Sequence, residues 1–201
     1  MRNNIKNLRK QKIIIFLGII LIFILLLFYT NKKITSNSIY IKNITRNKNS
    51  SENMSSEFRC KINENINAMY INIWEKEGNS WKNVKTTFSQ ISSQYINDNL
   101  YLKLDISSNF IKIYKTVNSH TNLTNYKYST DFKNMENIFS FLDDKQKIEL
   151  DKEIILFKKF GFKDYSKLEL EHNQDFRDVD CDKGLVVTVT FLNTIETNKN
   201  N

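Results

Sequence analysis

Four aspartates stand close together near the C-terminal end of the sequence: Asp175, Asp178, Asp180 and Asp182. Carboxylate oxygens are hard ligands of the kind that Ca²⁺ prefers, provided that they converge on one ion. Alternating aspartates in a short loop before Gly184 could supply that convergence. The sequence therefore offers calcium binding as one hypothesis, beside the plainer interpretation of a solvated acidic loop.

The spacing of these aspartates resembles the opening of an EF-hand calcium loop, with clear departures. Gly184 falls at the seventh position instead of the sixth, and Val189 stands where that loop has its bidentate glutamate. The residues after Gly184 also have the composition of a strand, whereas an EF-hand needs flanking helices. Calcium would therefore have to be held by a loop between strands.

Trp74, Trp81 and Tyr70 form a second candidate site, an aromatic ligand-binding surface. The two tryptophans flank the turn of a predicted hairpin, and its register places both rings on the face opposite Ile71 and Ile73, with Tyr70 further along. An exposed ledge of this kind could stack on a sugar or contact a partner protein. The alternative, which the usual burial of large aromatics favours, is that this face is covered and the tryptophans are core residues.

Cys60 and Cys181 are the only cysteines. In an oxidising compartment an even pair commonly forms a bridge, and a loop of this length would constrain the unfolded chain by about 4–5 kcal/mol. We predict a Cys60–Cys181 disulfide; the alternative is two buried free thiols. His120 and His172 lack the neighbouring ligand spacing typical of zinc sites, and no serine lies in a G-x-S-x-G turn. The sequence therefore assigns no catalytic residue.

The net charge of +8 is confined to the N-terminal part of the chain. Residues 1–56 hold ten basic side chains and one acidic, so the totals of 30 basic and 22 acidic leave 20 and 21 in residues 57–201, a net of −1. A nucleic-acid-binding protein needs its positive charge on the folded surface, so we expect no nucleic-acid partner. Four glycines and no proline also exclude a glycine-rich phosphate loop.

Residues 13–30 are predicted to form a transmembrane helix. Ile13 to Tyr29 carry no charge and, at 1.5 Å per residue, span about 26 Å, close to a thin bilayer core. The preceding basic residues place the tail 1–12 in the cytoplasm and the rest of the chain outside it. A cleaved signal peptide is the alternative, but FYTNKK lacks the small residues that cleavage favours. We therefore expect a single-pass signal anchor in the cell membrane, with the lipid bilayer as a partner.

Three further regions are predicted beyond the anchor: a polar tether at 31–57, an extracytoplasmic β-rich domain at 58–195 and a disordered tail at 196–201. The tether is rich in Asn, Ser and Lys and has only isolated apolar residues. In the domain, runs of β-branched and aromatic residues between turn signals indicate strands at 58–62, 123–130, 166–171 and 184–192.

Two hairpins have a register that alternation predicts residue by residue, because a slip of one position would move every side chain to the other face. A turn at Gly78-Asn79 gives the pairs Ile73–Val84, Ile71–Thr86, Met69–Phe88 and Glu75–Lys82. A turn at Ser108-Asn109 gives the pairs Ile106–Ile111, Leu104–Ile113, Leu100–Val117 and Asp105–Lys112.

The region 131–160 has the apolar spacing of a helix. Leu150, Ile154 and Phe157 follow that spacing, with lysines near the end and Gly161 beyond, although KEIILFKKF also fits a strand. Several strands with close turns then predict a mainly β, antiparallel β-sandwich-like domain with one helical insertion.

We expect a membrane-anchored extracytoplasmic binding or interaction module that is not an enzyme and contacts an envelope protein or glycan. We expect no cofactor, with calcium as the alternative. The alternatives are an exported cell-envelope enzyme with carboxylate catalysis and a structural subunit of an envelope complex. Carboxylates gathered in a deep cleft would favour the enzyme. A flat aromatic or edge-strand surface would favour the binding module, and an apolar patch without a pocket would favour the structural subunit.

Overall fold

A computed structural model describes residues 20–22, 39–45, 54–92, 100–117, 119–164 and 175–193. The chain divides into two compact units, Met1–Ser38 and Ile39–Asn201. Residues 20–22 are helical, and the remainder of the predicted anchor 13–30 lies outside the described residues. Within the described part of the chain, no helix is long and apolar enough to cross a membrane.

The second unit consists of two antiparallel β-sheets, so the mainly β, sandwich-like fold is confirmed. Sheet A has the strand order β7-β6-β5-β2-β1-β9, and sheet B has the order β4-β3-β11-β10-β8. A short 3₁₀ helix, Phe176–Asp178, precedes the last strand. The described strands are β1 (Tyr40–Asn43), β2 (Met54–Lys61), β3 (Ala68–Glu77), β4 (Ser80–Gln90), β5 (Leu100–Ile106), β6 (Phe110–Val117), β7 (His120–Lys127), β8 (Glu136–Phe141), β9 (Gln146–Lys147), β10 (Glu153–Phe162) and β11 (Lys183–Leu192).

The main core lies between the two sheets and follows from the alternation of each strand. In β5, Leu100, Leu102 and Leu104 are fully buried, while the residues between them are more exposed. Leu185 and Val187 of β11 face the same core from sheet B. The predicted strands at 58–62, 123–130 and 184–192 correspond to β2, β7 and β11, and the one at 166–171 lies outside the described residues.

The β5–β6 hairpin has the predicted register, with Ile106 opposite Ile111 and Asp105 opposite Lys112. The β3–β4 hairpin turns at the predicted position, where Gly78 has a φ of 61°. Its pair Glu75–Lys82 is also confirmed.

Beyond that pair a β-bulge shifts the β3–β4 register by one residue, so Ile73 pairs with Lys85. The predicted pairs Ile73–Val84, Ile71–Thr86 and Met69–Phe88 are therefore wrong. The extra residue in β4 inverts the alternation of the side chains beyond it. Trp81 and Phe88 are seven positions apart, which would put them on opposite faces of a regular strand, but both lie on the outer face of sheet B.

The predicted helical insertion at 131–160 is wrong, because the region forms β8, β9 and β10. Strand β10 lies inside sheet B, between β11 and β8, and apolar side chains cover both of its faces. A bulge between Ile155 and Phe157 also places Leu156 and Phe157 together in the main core. Burial on two faces combined with a bulge reproduces the three-residue apolar spacing of a helix.

The predicted tether at 31–57 is wrong for residues 39–45 and 54–57, which belong to the folded unit. Strand β1 pairs with both β2 and β9, and Ile41 is fully buried. One buried residue in a four-residue strand is too little to stand out in a polar sequence. Residues 31–38, 46–53 and the predicted tail 196–201 lie outside the described residues.

Candidate functional site

The predicted aromatic surface lies on the outer face of sheet B, and the loop that carries the 3₁₀ helix covers its tryptophan end. Phe176 of that loop is 2% exposed, and its ring centroid lies 4.9 Å from that of Trp81 and 5.7 Å from that of Trp74. Trp81 also packs edge-on against Phe160. The tryptophans therefore pack against a second apolar cluster, and this loop covers them, as the alternative interpretation expected.

The outer cluster depends on a close approach between Trp81 and Gly184. Lys76 pairs with Trp81 on one side and with Gly184 on the other, so the indole ring reaches across one strand to lie on the glycine. A Cβ at position 184 would overlap the indole ring. The absence of a side chain at Gly184 thus makes room for Trp81.

A polar network around Glu153 fastens the covering loop to the sheet. The carboxylate accepts hydrogen bonds from Trp74 Nε1 (3.0 Å), Thr188 Oγ1 (2.6 Å) and Arg177 Nη2 (2.6 Å). The Arg177 guanidinium also lies 4.5 Å from the centroid of the Trp74 ring, within cation–π range. Because these partners are all part of the fold, the network has a structural role.

Tyr70 is separated from the tryptophans, so the three residues do not form one exposed ledge. It is 37% exposed and packs against Phe88, which is 49% exposed, with ring centroids 5.1 Å apart. Asn72 and Thr86, hydrogen-bonded to each other, lie between this pair and the covered end.

The four aspartates each contact other protein groups. Asp175 accepts from the backbone and guanidinium of Arg177, and Asp182 accepts from the backbone N–H of Lys163. Asp178 and Asp180 also have partners. No group of three or more His, Cys, Asp or Glu side chains among the described residues is arranged to hold a metal ion. The calcium hypothesis for Asp175, Asp178, Asp180 and Asp182 therefore gains no support.

The predicted Cys60–Cys181 disulfide is wrong, since both cysteines are free and buried. Cys60 lies in the main core, whereas Cys181 lies in the outer cluster, so sheet B stands between them. Burial raises the pKa of Cys60, and it raises the pKa of Cys181 to about 11 against a smaller opposite effect of Lys76. The alternative of two buried thiols describes this structure.

Glu75 is a fully buried carboxylate that the sequence reasoning paired only with Lys82. It accepts hydrogen bonds from the Tyr126 hydroxyl (2.8 Å) and from both the backbone N–H and the hydroxyl of Ser129 and of Thr130. Burial raises its pKa, but these hydrogen bonds together hold the pKa below its ordinary value. Because Tyr126 belongs to sheet A, Glu75 ties the two sheets together.

Lys115 is a charged residue on the inward face of strand β6. Ile111 and Ile113, four and two positions earlier, are buried on the same face. Lys115 is half-buried and lines a cavity of about 350 Å³ at the side of the sandwich where the edge strands β4 and β7 face each other. The signal for this site was present in the sequence, as a lysine where alternation calls for an apolar residue.

The cavity beside Lys115, here called the inter-sheet cleft, has a polar wall and an apolar floor. Ile71 and Ile113 form the floor, and the other lining residues are Thr87, Phe88, Ser89, Gln90, Lys115, Asn122 and Thr124. No carboxylate lines the cleft, and the Lys115 ammonium forms no hydrogen bond or ion pair with the described residues. Burial lowers the pKa of Lys115 below its ordinary value.

Two other cavities among the described residues hold one carboxylate each. The larger, of about 620 Å³, contains Asp131, which accepts from the backbone N–H of Lys133. The other contains Asp105, which accepts from the Ser55 hydroxyl and pairs with Lys103. Both carboxylates are therefore already engaged by neighbouring groups.

No protein-family model, no curated protein and no solved structure matches the chain significantly. The fold and the cleft therefore define a class only, that of an antiparallel β-sandwich domain with a polar cleft between its edge strands.

Proposed function

We propose that this protein is a membrane-anchored, extracytoplasmic binding module without enzymatic activity, and that the inter-sheet cleft is its binding site. The observation that carries the proposal is the cleft itself, in which the half-buried Lys115 ammonium, which has no ion-pair partner among the described residues, faces hydroxyl and amide groups over an apolar floor. A concave site with a few convergent polar groups is typical of small-ligand binding.

The chemistry of the cavities supports binding over carboxylate catalysis. General acid–base catalysis by two carboxylates needs both groups at one site. Each of the two other cavities described above contains a single, hydrogen-bonded carboxylate, and the cleft contains none. Glu75 and Glu153, which are well placed for chemistry by burial alone, are occupied by structural hydrogen bonds.

The membrane anchor and the outward orientation are proposed from residues 1–30, whose hydrophobic run and basic flank favour them. Protease treatment of intact cells, from which any outer wall has been removed, tests the orientation. We expect loss of the folded unit from intact cells and retention of an N-terminal fragment in the membrane. Protection of the folded unit until the cells are lysed would contradict the orientation.

Native mass spectrometry of the full chain, extracted gently from its own membrane, tests the cleft as a binding site. We expect a bound mass that disappears in Thr124→Trp, whose indole would fill the cleft from strand β7. Asn125→Trp is the matched control, because the neighbouring residue points away from the cleft. A wild-type chain with no bound mass, or a bound mass that persists in Thr124→Trp, would contradict the proposal.

A further inference from the structure

We infer that the inter-sheet cleft binds a small organic monocarboxylate, with its carboxylate on Lys115 and a short apolar body on Ile71 and Ile113. This inference rests on the proposed function, because it names the ligand class of the same site.

The charge of the ligand follows from the uncompensated lysine. An ammonium group that is partly withdrawn from water without an opposite charge carries an energetic cost, and none of the residues that line the cleft is acidic. An anion would supply the missing charge. The hydroxyl groups of Thr87, Ser89 and Thr124 and the amide of Asn122 could donate further hydrogen bonds to it.

The number of negative charges on the ligand follows from the number of basic residues that line the cleft. Lys115 is the one basic residue among those that line the cleft. None of them is an arginine, whose paired N–H donors hold a phosphate group through two parallel hydrogen bonds. A ligand with one negative charge therefore matches the site better than a dianion.

The size and polarity of the ligand follow from the shape of the cleft. A volume of about 350 Å³ accommodates a small molecule rather than a polymer chain. Ile71 and Ile113 are 3% exposed and offer apolar contact below the polar rim. A carboxylate with a short alkyl chain would place its charged and apolar ends against matching surfaces.

Butyrate and butyramide form a suitable pair of probes, because they have the same shape and differ in charge. The isoleucine methyl groups of the full chain in lipid nanodiscs would be isotope-labelled and titrated by NMR. We expect butyrate to shift the Ile71 and Ile113 signals and butyramide to bind about tenfold or more weakly, as loss of a charge-assisted hydrogen bond predicts. Inorganic phosphate should bind more weakly than butyrate.

Three variants assign the effect to the ammonium group. Lys115→Met should remove the preference for butyrate over butyramide, Lys115→Arg should retain it, and Lys112→Met, exposed on the opposite face of the same strand, should leave it unchanged. Unfolding midpoints of the three variants, measured in parallel, show whether each chain is folded.

Four outcomes would overturn the inference: equal binding of both probes by the wild-type chain, stronger binding of phosphate, a butyrate preference that survives in folded Lys115→Met, or no shift at either isoleucine. Equal binding of both probes would leave the proposed function intact, since the cleft would then accept neutral molecules. Failure of the proposed function itself is detected separately, by the mass spectrometry of Thr124→Trp.

Discussion

Glu75 and Lys115 are both charged residues on the inward face of a strand, but the groups that surround their charges differ. Hydroxyl and backbone N–H groups from β7 and the residues after it surround the Glu75 carboxylate. Lys115 faces a cleft in which none of the described residues accepts a hydrogen bond from its ammonium group. The fully buried Glu75 carboxylate is tolerated because it is hydrogen-bonded, so Glu75 has a structural role. The half-buried Lys115 ammonium lacks such compensation, and it is the group proposed to bind a ligand.

Replacement of the Glu75 carboxylate should destabilise the fold in a pH-dependent way. Glu75→Gln places an amide donor against hydroxyl and N–H donors, and we expect a loss of about 2 kcal/mol at pH 7. Because the pKa of Glu75 in the folded state lies below its ordinary value of 4.5, the carboxylate stabilises the fold fully above pH 4.5 and less as the pH falls further. The difference between wild type and variant should therefore shrink in acid.

Urea unfolding at a series of pH values between 7 and 3 measures this difference. Glu64→Gln, in an exposed turn, is the control and should leave the free energy of unfolding nearly unchanged. A Glu75→Gln penalty that stays constant across the pH range would contradict the role assigned to the ionised carboxylate.

The two cysteines should behave as protected thiols. Because both are buried and burial raises the pKa of each, neither should react readily with iodoacetamide in the folded protein at neutral pH. Unfolding without a reductant should then allow two adducts per chain, counted by mass spectrometry. Ser108→Cys, at an exposed turn, provides a rapidly reacting reference. If the unfolded chain could be alkylated only after reduction, the predicted Cys60–Cys181 disulfide would be supported instead.

At the scale of the elements, sheet B has two covered faces at one end and a partly open outer face at the other. Strands β10 and β11 contribute to the main core on one side and to the outer cluster on the other, through Phe160 and Val186. The bulges in β4 and β10 allow this division, since each changes which side chains share a face.

Insertion of one methyl group at Gly184 should disturb the outer cluster. Gly184→Ala would overlap the Trp81 ring, which has to move against Phe160 and Phe176, and we expect a cost of about 1–3 kcal/mol. Tryptophan fluorescence should shift to the red as the indole becomes more exposed, and urea unfolding measures the cost.

Gly78→Ala is the matched control, because it strains only the backbone. Gly78 has a φ of 61° and nothing within 4 Å of the added Cβ, so about 1–2 kcal/mol is expected, with unchanged fluorescence. Equal fluorescence of the Gly184→Ala and wild-type chains would contradict the packing of Trp81 on Gly184.

At the scale of the whole molecule, the folded unit depends on a strand that the sequence placed in a tether. Strand β1 lies between β2 and β9 in sheet A and buries Ile41, and β2 begins at Met54, before the predicted domain boundary at residue 58. Removal of these residues would leave core side chains without their neighbours.

Two truncated chains test the boundary. The chain 39–201 should unfold cooperatively in urea, whereas the chain 58–201 should show a lower midpoint or no cooperative transition, because it lacks β1 and the first half of β2. Equal midpoints for the two chains would show that β1 contributes nothing to stability.

The sequence alone was sufficient for the mainly β, sandwich-like class and for part of the local pairing. Alternation and turn residues predicted the β5–β6 hairpin and the Glu75–Lys82 pair of the β3–β4 hairpin, because both depend on residues that are close in the chain. The same alternation placed the tryptophans on the face opposite Ile71 and Ile73.

Only the tertiary structure decided which faces are covered and which distant groups meet. It showed that β10 is buried on both sides, that Phe176 covers Trp74 and Trp81, and that sheet B separates Cys60 from Cys181. The inter-sheet cleft is likewise lined by residues of strands from both sheets, among them β4 and β7. The physical reason is that burial depends on contacts between segments far apart in the chain, whereas a sequence pattern reports only which side chains of one segment share a face.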